Sequence, residues 1–163
     1  MLAMIMYQIH WDDMDDLRKL ALQLMEIEKR FLLEEREEYG SAIVVVITPE
    51  GRYSEEVEFD SEDDKARAYA AIVNRAKDSH ASAIITINSS FKKSVPSDDE
   101  VAAYRWGDLE RGAAQRAITL TISGPSIKAC CLSLPYSFQD GAVVVGELSD
   151  FDAARVGLLP GWP

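Results

Sequence analysis

The feature that most constrains this chain is an almost entirely apolar run of seven residues, Ala42 to Thr48. A strand with so little polar character on either face is typical of the middle of a sheet that is covered on both sides. The run opens a longer unit, which is predicted to be the scaffold of the protein. That unit comprises a turn at Pro49-Glu50-Gly51, a strand from Tyr53 to Phe59, a helix from Ser61 to Lys77 and an apolar strand from Ala83 to Ile87.

Three further regions complete the predicted fold. An amphipathic helix begins at the acidic run Asp12–Asp16 and continues to about Glu38. After a long loop, residues 89–116, alternating patterns predict three more strands. They are Ile118–Ser123, Ser126–Pro135 and Ala142–Gly146.

These elements predict an α+β fold in the order α-β-β-α-β-loop-β-β-β. We expect a mixed, mostly antiparallel sheet of about six strands, with the two main helices packed on one face. A length of 163 residues suits a single domain, 1–163. Residues 1–11 are predicted to be a flexible or edge extension, and 151–163 an irregular tail. Methionines at 1, 4 and 6 leave the true start open.

Composition narrows the classes of partner. The chain has 17 basic and 28 acidic residues, a net charge of −11. Nucleic acid and anionic membranes both select basic surfaces, so neither is an expected partner. The acidic surface suits solubility, and it would also suit a basic protein partner. The apolar start, Met1 to Ile9, is too short to span a bilayer, and we expect a cytoplasmic protein.

The two cysteines are adjacent, at Cys130 and Cys131. Neighbours on a strand point to opposite faces, so they are poorly placed to pair with each other, and a disulfide framework is not expected. The only histidines, His10 and His80, lack partners at metal-ligand spacing. Nucleophile and phosphate-loop motifs are also missing from the sequence. We therefore expect no metal, no cofactor and no catalytic set, which favours a non-enzymatic protein while leaving the question open.

Polar residues near predicted strand ends form the candidate ligand site, because such positions often line clefts in α/β folds. Arginine–carboxylate pairs there could bind a small anion or hold the long loop in place. The residues are Asn88, Arg105, Arg111, Arg116 and Glu147. Separately, Glu55 falls between Tyr53 and Val57 on the apolar face of its strand. It is predicted to sit at an edge or a bulge rather than to be a buried functional carboxylate.

Part of the sequence resembles a known group. The run Asp108-x-x-Arg111-x-x-Ala114 enters a strand, and the last strand reads Gly141-Ala-Val-x-x-Gly146-Glu147. Over about residues 42–147 this pattern resembles small uncharacterised bacterial proteins of similar length. The resemblance implies a bacterial or phage origin and no assigned activity. The element order is also similar to the first half of the deaminase-like fold, but the zinc and general-acid residues of that family have no counterparts here.

Three functions remain open. The first is a non-enzymatic binding or assembly module that self-associates as a homo-oligomer, which the broad apolar stripe from Leu17 to Leu33 favours. The second is an enzyme or binding protein for a small anionic ligand, with a cleft near Asn88, Arg116 and Glu147. The third is an acidic antagonist that occupies a basic protein partner.

Overall fold

A computed structural model of the chain describes residues 14–35, 42–92, 115–152, 159 and 161–162. These residues form two helices and seven strands, and the α+β class is confirmed. The helices are α1 (Met14–Glu35) and α2 (Glu62–Asp78). The strands are β1 (Ala42–Thr48), β2 (Gly51–Val57), β3 (Ala83–Lys92), β4 (Gln115–Gly124), β5 (Ile127–Gln139), β6 (Ala142–Val145) and β7 (Ser149–Asp152).

The strands form one sheet in the order β2-β1-β3-β4-β5-β6, and β7 pairs with β5 beside β6. Every pairing among the described strands is antiparallel. The apolar run Ala42–Thr48 forms β1 and lies inside the sheet, between β2 and β3, as its composition predicts. Strand β5 is long enough to pair with β7 along Cys130–Ser133 and with β6 along Tyr136–Gln139.

The two helices lie on opposite faces of the sheet, so the expectation that both pack on one face is wrong. On β1, Val45 and Ile47 join the core beneath α1, whereas Val44 and Val46 join the core beneath α2. Successive side chains of a strand point to opposite faces. Because β1 is apolar at both sets of positions, each face needs its own cover, and one helix supplies each.

The core beneath α1 is the larger of the two. Leu17, Ala21 and Met25 of α1 are at most 4% exposed and pack over strands β1, β3, β4 and β5. The second core joins α2 to β1 and the end of β2, and it includes Leu159 from the C-terminal segment. The C-terminal segment therefore packs on the body of the protein at Leu159.

Strands β3 and β4 extend into the predicted loop 89–116. Ser89 pairs with Ile118 and Lys92 with Gln115, so the ladder continues beyond the apolar residues. Polar composition obscured this extension, because backbone hydrogen bonds do not depend on side-chain polarity. The remaining part of the loop, 93–114, and the extension 1–11 lie outside the described residues. The predicted tail, in turn, begins inside β7.

Both ends of α2 are capped. At the N-terminus, the Oγ of Ser61 accepts a 3.1 Å hydrogen bond from the Asp64 backbone N–H. At the C-terminus, the Ser79 N–H bonds to the Arg75 carbonyl at 3.0 Å. No helix in the described ranges is both long and apolar enough to cross a membrane.

Candidate functional site

Strand β2 forms one edge of the described sheet. It pairs with β1 from Gly51 opposite Thr48 to Val57 opposite Ala42, and no other described strand pairs with it. An edge strand turns a row of backbone N–H and C=O groups away from its neighbour. Four side chains near the middle of β2 are exposed, namely Arg52, Tyr53, Ser54 and Glu56. The described part of the molecule therefore presents an open strand of seven residues.

The two faces of β2 differ in their neighbours. Arg52, Ser54 and Glu56 lie opposite Ile47, Val45 and Ile43 of β1, and so face the side of the sheet that carries α1. Tyr53, Glu55 and Val57 face the side that carries α2. The strand thus divides its charged residues between the two faces.

Glu55 is held by α2. Its Oε2 accepts a 2.5 Å hydrogen bond from an Arg75 guanidinium nitrogen, and both side chains are partly exposed. The register between β1 and β2 runs without a shift through Glu55, so no bulge turns it outward. An ion pair with a helix explains this carboxylate on an otherwise apolar face. The pairing with Arg75 depends on how α2 lies over the sheet, so the residue pattern of β2 does not predict it.

Beyond β2, aromatic residues fix the start of α2 against the same edge. The rings of Phe59 and Tyr69 lie 6.1 Å apart, and the Lys65 ammonium lies 5.7 Å from the centre of the Phe59 ring. Contacts of this type hold a cation over an aromatic face. The Glu55–Arg75 pair joins α2 to β2, and the contacts of Phe59 join α2 to the segment that follows β2.

On the α1 side, Glu28 lies near the same edge. Partial burial raises the pKa of the Glu28 carboxyl above its ordinary value of 4.5, and the negative charge of Glu56 raises it further. The two carboxylates belong to α1 and β2, so they form an acidic pair in which the negative charge on the edge strand acts on the helix. This pair was not visible in the sequence, because it depends on how α1 lies over the sheet.

A second feature lies at the other end of α2, where a cleft of about 350 Å³ opens to solvent. The backbone of His80 there is left-handed, with φ of 54°. Its N–H bonds to the Lys77 carbonyl at 3.1 Å, and the Ala81 N–H bonds to the Ala76 carbonyl at 2.9 Å. This pattern is a Schellman cap with histidine where glycine is usual. The cleft is lined by Ala76, Lys77, His80, Ala81, Pro125 and Trp162.

Trp162 forms one wall of this cleft and is held in place by two hydrogen bonds. Its indole N–H donates a 3.3 Å hydrogen bond to the Ser123 carbonyl, and its backbone N–H bonds to the Leu159 carbonyl at 3.0 Å. The tryptophan therefore anchors the C-terminal segment and also presents a flat apolar surface beside a lysine and a histidine.

The structure describes three of the five residues predicted to bind a ligand. Asn88 is half-buried on β3, opposite Thr119 of β4. Its neighbour Ile87 belongs to the core beneath α1, so Asn88 faces the other side. Arg116 is two residues from Ile118 of that core, so it faces the α1 side, 5.3 Å from the Phe138 ring centre.

Glu147 is exposed between β6 and β7, and Arg105 and Arg111 lie outside the described residues. Because Asn88 and Arg116 project from opposite faces, the described part of the predicted site does not form one cluster. Their role in binding stays a prediction.

The cysteines occupy opposite faces, as predicted. Cys130 packs in the core beneath α1, whereas Cys131 is fully buried on the other face. Burial raises the pKa of the Cys130 thiol, the Asp150 carboxylate raises it further, and the Arg18 guanidinium opposes the change. Arg18 and Asp150 form an ion pair that joins α1 to β7. A thiol in this environment is a weak nucleophile.

Among the described residues, no group of three or more His, Cys, Asp or Glu side chains could hold a metal ion. Searches of protein-family models, curated proteins and solved structures found no match. The resemblance to small uncharacterised bacterial proteins therefore stays a prediction.

Proposed function

We propose that this protein is a non-enzymatic binding or assembly module that self-associates. The observation that supports the proposal is the open edge strand β2, which has a partner on one side only among the described strands. Exposed edges are ready templates for pairing with another chain, and natural proteins usually protect them with proline, bulges, short strands or charged side chains. Charges of both signs protect less against a second copy, because opposite charges on the two strands can pair. Strand β2 has no proline and no shift of register, and its charges are of both signs.

Helix α1 also exposes apolar residues, but they lie on different sides of the helix. Leu22, Ile27 and Leu33 are 44%, 58% and 42% exposed. At about 100° per residue, Leu22 and Leu33 lie within about 20° of each other, whereas Ile27 is about 140° away from Leu22. Apolar residues scattered in this way are common on monomeric proteins. The edge strand is therefore the better support for self-association.

The oligomeric state tests this proposal directly. We expect sedimentation velocity of the full chain to show a dimer or larger species that dissociates on dilution through the micromolar range. Ile27→Asp on α1 is the control. It changes an exposed residue of the helix and leaves β2 intact, so the oligomeric state should not change. A single monomeric species up to several hundred micromolar would contradict the proposal.

Binding of a small anionic ligand is a second candidate function, supported by the cleft at the end of α2. Lys77 offers a positive charge, and Trp162 and Pro125 offer apolar walls for the rest of a small molecule. Sites for small molecules combine such walls with a few polar groups. A small carboxylic acid with a flat apolar body fits this chemistry.

Benzoate is a suitable probe for the cleft. We expect millimolar benzoate to perturb the indole N–H resonance of Trp162 in a two-dimensional NMR titration, and Lys77→Gln to weaken that effect. Lys65→Gln, at the opposite end of the same helix, is the control. An unchanged indole resonance at saturating benzoate would argue against this second function.

A further inference from the structure

The sequence of β2 is complementary to itself. We propose that two copies of this chain pair antiparallel through β2, with Ser54 opposite Ser54 and Arg52 of each copy opposite Glu56 of the other. The inference rests on the proposed self-association and specifies the surface and the register that produce it. The two sheets would then join into one continuous sheet, with the two-fold axis perpendicular to it at Ser54.

The register follows from geometry. A two-fold axis perpendicular to the sheet keeps the faces of the two copies aligned, so each residue must face one of the same parity. Centring on Ser54 overlaps all seven residues of β2, from Gly51 to Val57. Any other centre within the strand shortens the ladder and so removes backbone hydrogen bonds.

Charge selects the same register. With Ser54 at the centre, two Arg52–Glu56 pairs form, one on each side of the axis. Centring on Arg52 would bring two arginines together, and centring on Glu55 or Glu56 would bring two carboxylates together. Like charges directly opposite each other on neighbouring strands are destabilising, and opposite charges are stabilising. The charges on β2 therefore disfavour the centres at Arg52, Glu55 and Glu56. Centring on Tyr53 brings no like charges of the strand together, and there the longer ladder favours Ser54.

The surroundings of the strand support this pairing. Arg52 is exposed and forms no ion pair within the described residues. It lies on the same face of the sheet as Glu56, whose carboxylate is close enough to Glu28 to raise the pKa of that group. Arg52 of a second copy would place a positive charge beside this acidic pair.

Two acidic residues flank the strand, Glu50 in the turn and Glu58 beyond the last strand residue. They would approach each other near the ends of the paired ladder. Since both lie outside the strand, they do not occupy ladder positions, and their repulsion is open to screening by salt.

Charge exchange tests the register. In sedimentation equilibrium on the full chain, Arg52→Glu and Glu56→Arg should each raise the dimer dissociation constant by at least about tenfold, because each change acts twice in a symmetric dimer. The double variant, Arg52→Glu with Glu56→Arg, restores opposite charges and should return the constant to near the wild-type value. Lys128→Glu, exposed on β5 and separated from β2 by three strands, is the control for a change in net charge.

A cross-link gives a second, independent measurement. Ser54→Cys places one thiol from each copy across the two-fold axis, at a separation that permits a disulfide between opposite strand residues. Oxidised glutathione should convert this variant to a covalent dimer. The wild-type thiols are buried, so the wild-type chain should not cross-link, and neither should Ser126→Cys in the exposed turn between β4 and β5.

The outcomes separate the two proposals. A wild-type chain that stays monomeric overturns self-association and this inference together. A wild-type dimer that neither charge reversal weakens, or in which Ser54→Cys cross-links no faster than Ser126→Cys, overturns the β2 pairing alone. If single reversals weaken the dimer and the double variant does not restore it, the proposed register is wrong.

Discussion

His80 holds a backbone conformation that glycine adopts freely and other residues adopt at a cost. Its φ of 54° places Cβ close to the following carbonyl oxygen, which costs roughly 1–2 kcal/mol for an L-residue. The position follows α2 and begins the turn toward β3, so the strain is required by the Schellman cap rather than by packing. The side chain stands at the rim of the cleft beside Lys77.

We predict that His80→Gly raises the free energy of unfolding by about 0.5–1 kcal/mol, because glycine removes the strain but adds disorder to the unfolded chain. Urea unfolding followed by circular dichroism measures the change. His80→Ala removes the imidazole but keeps Cβ, so it should give no such gain. Equal stabilisation by alanine and glycine would show that the imidazole, not the backbone, is the source of the cost.

Glu28 gives a prediction about pH. Burial first and Glu56 second raise the pKa of the folded-state carboxyl above its ordinary value of 4.5. The folded state therefore binds the proton more tightly than the unfolded state, and this group lowers stability as pH rises through the raised pKa. The loss of stability is complete at neutral pH. It disappears at pH values below the pKa of Glu28 in the unfolded chain.

Glu28→Gln should therefore stabilise the protein at pH 7 and give no advantage below about pH 4. The gain should stay below about 1 kcal/mol, because the side chain is only half-buried and water screens its charge. Thermal unfolding between pH 4 and pH 8 measures this trend. Glu26→Gln, exposed on the same helix, is the matched control, and a similar gain from it would assign the effect to overall charge.

At the scale of elements, the sequence predicted most helices and strands but not their arrangement. The apolar run at β1 predicts an interior strand, and the alternation of apolar and polar residues predicts β4. Burial on both faces or on one face of a strand produces these two patterns. The same pattern cannot say which helix covers which face. Which face each helix covers depends on the chain connections. In this fold, α1 and α2 lie on opposite faces of the sheet.

Pairing was harder to predict than burial. Ser89 and Ser90 continue β3 although they read as a loop, and β7 was missed because Ser149–Asp152 is short and polar. Backbone hydrogen bonds hold both segments in the sheet. Such bonds do not require particular side chains, so the residue pattern does not reveal them. For the same reason, the sequence predicts a strand from Tyr53 to Phe59, but only the sheet order shows that β2 lies at an edge.

Gly124 shows a contact between elements that composition cannot reveal. A Cβ there would lie 2.1 Å from the carbonyl oxygen of Ser82, which precedes β3. The Ser82 N–H is bonded to the Ile47 carbonyl at 2.8 Å, so the segment cannot easily withdraw. The ladder between β4 and β5 shifts register at the same place.

Gly124→Ala should therefore destabilise the fold by about 1–3 kcal/mol, the usual cost of inserting an extra methyl group where no space exists. The measurement is the urea midpoint at constant slope. Ser126→Ala, two residues later in the exposed turn, should change the midpoint little. A tolerated alanine at 124 would mean that the Ser82 segment moves away at low cost.

At the scale of the whole molecule, net charge works against any pairing of copies. Each chain carries −11. Two such charges with centres about 35 Å apart, reasonable for domains of this length, repel by about 14 kcal/mol in water before screening. The two exposed Arg52–Glu56 pairs contribute about 0–1 kcal/mol each. Without screening, the long-range repulsion therefore exceeds the local attraction.

Salt should reverse this balance, and so we predict that the β2 dimer tightens as ionic strength rises. The screening length falls from about 30 Å at 0.01 M to about 8 Å at 0.15 M, which removes most of a repulsion acting over the distance between centres. The Arg52–Glu56 pairs act at contact distance and are weakened less. Sedimentation equilibrium at both salt concentrations should show a lower dissociation constant at 0.15 M. A higher constant there would mean that attraction between exposed charges, rather than the backbone ladder of β2, holds the copies together.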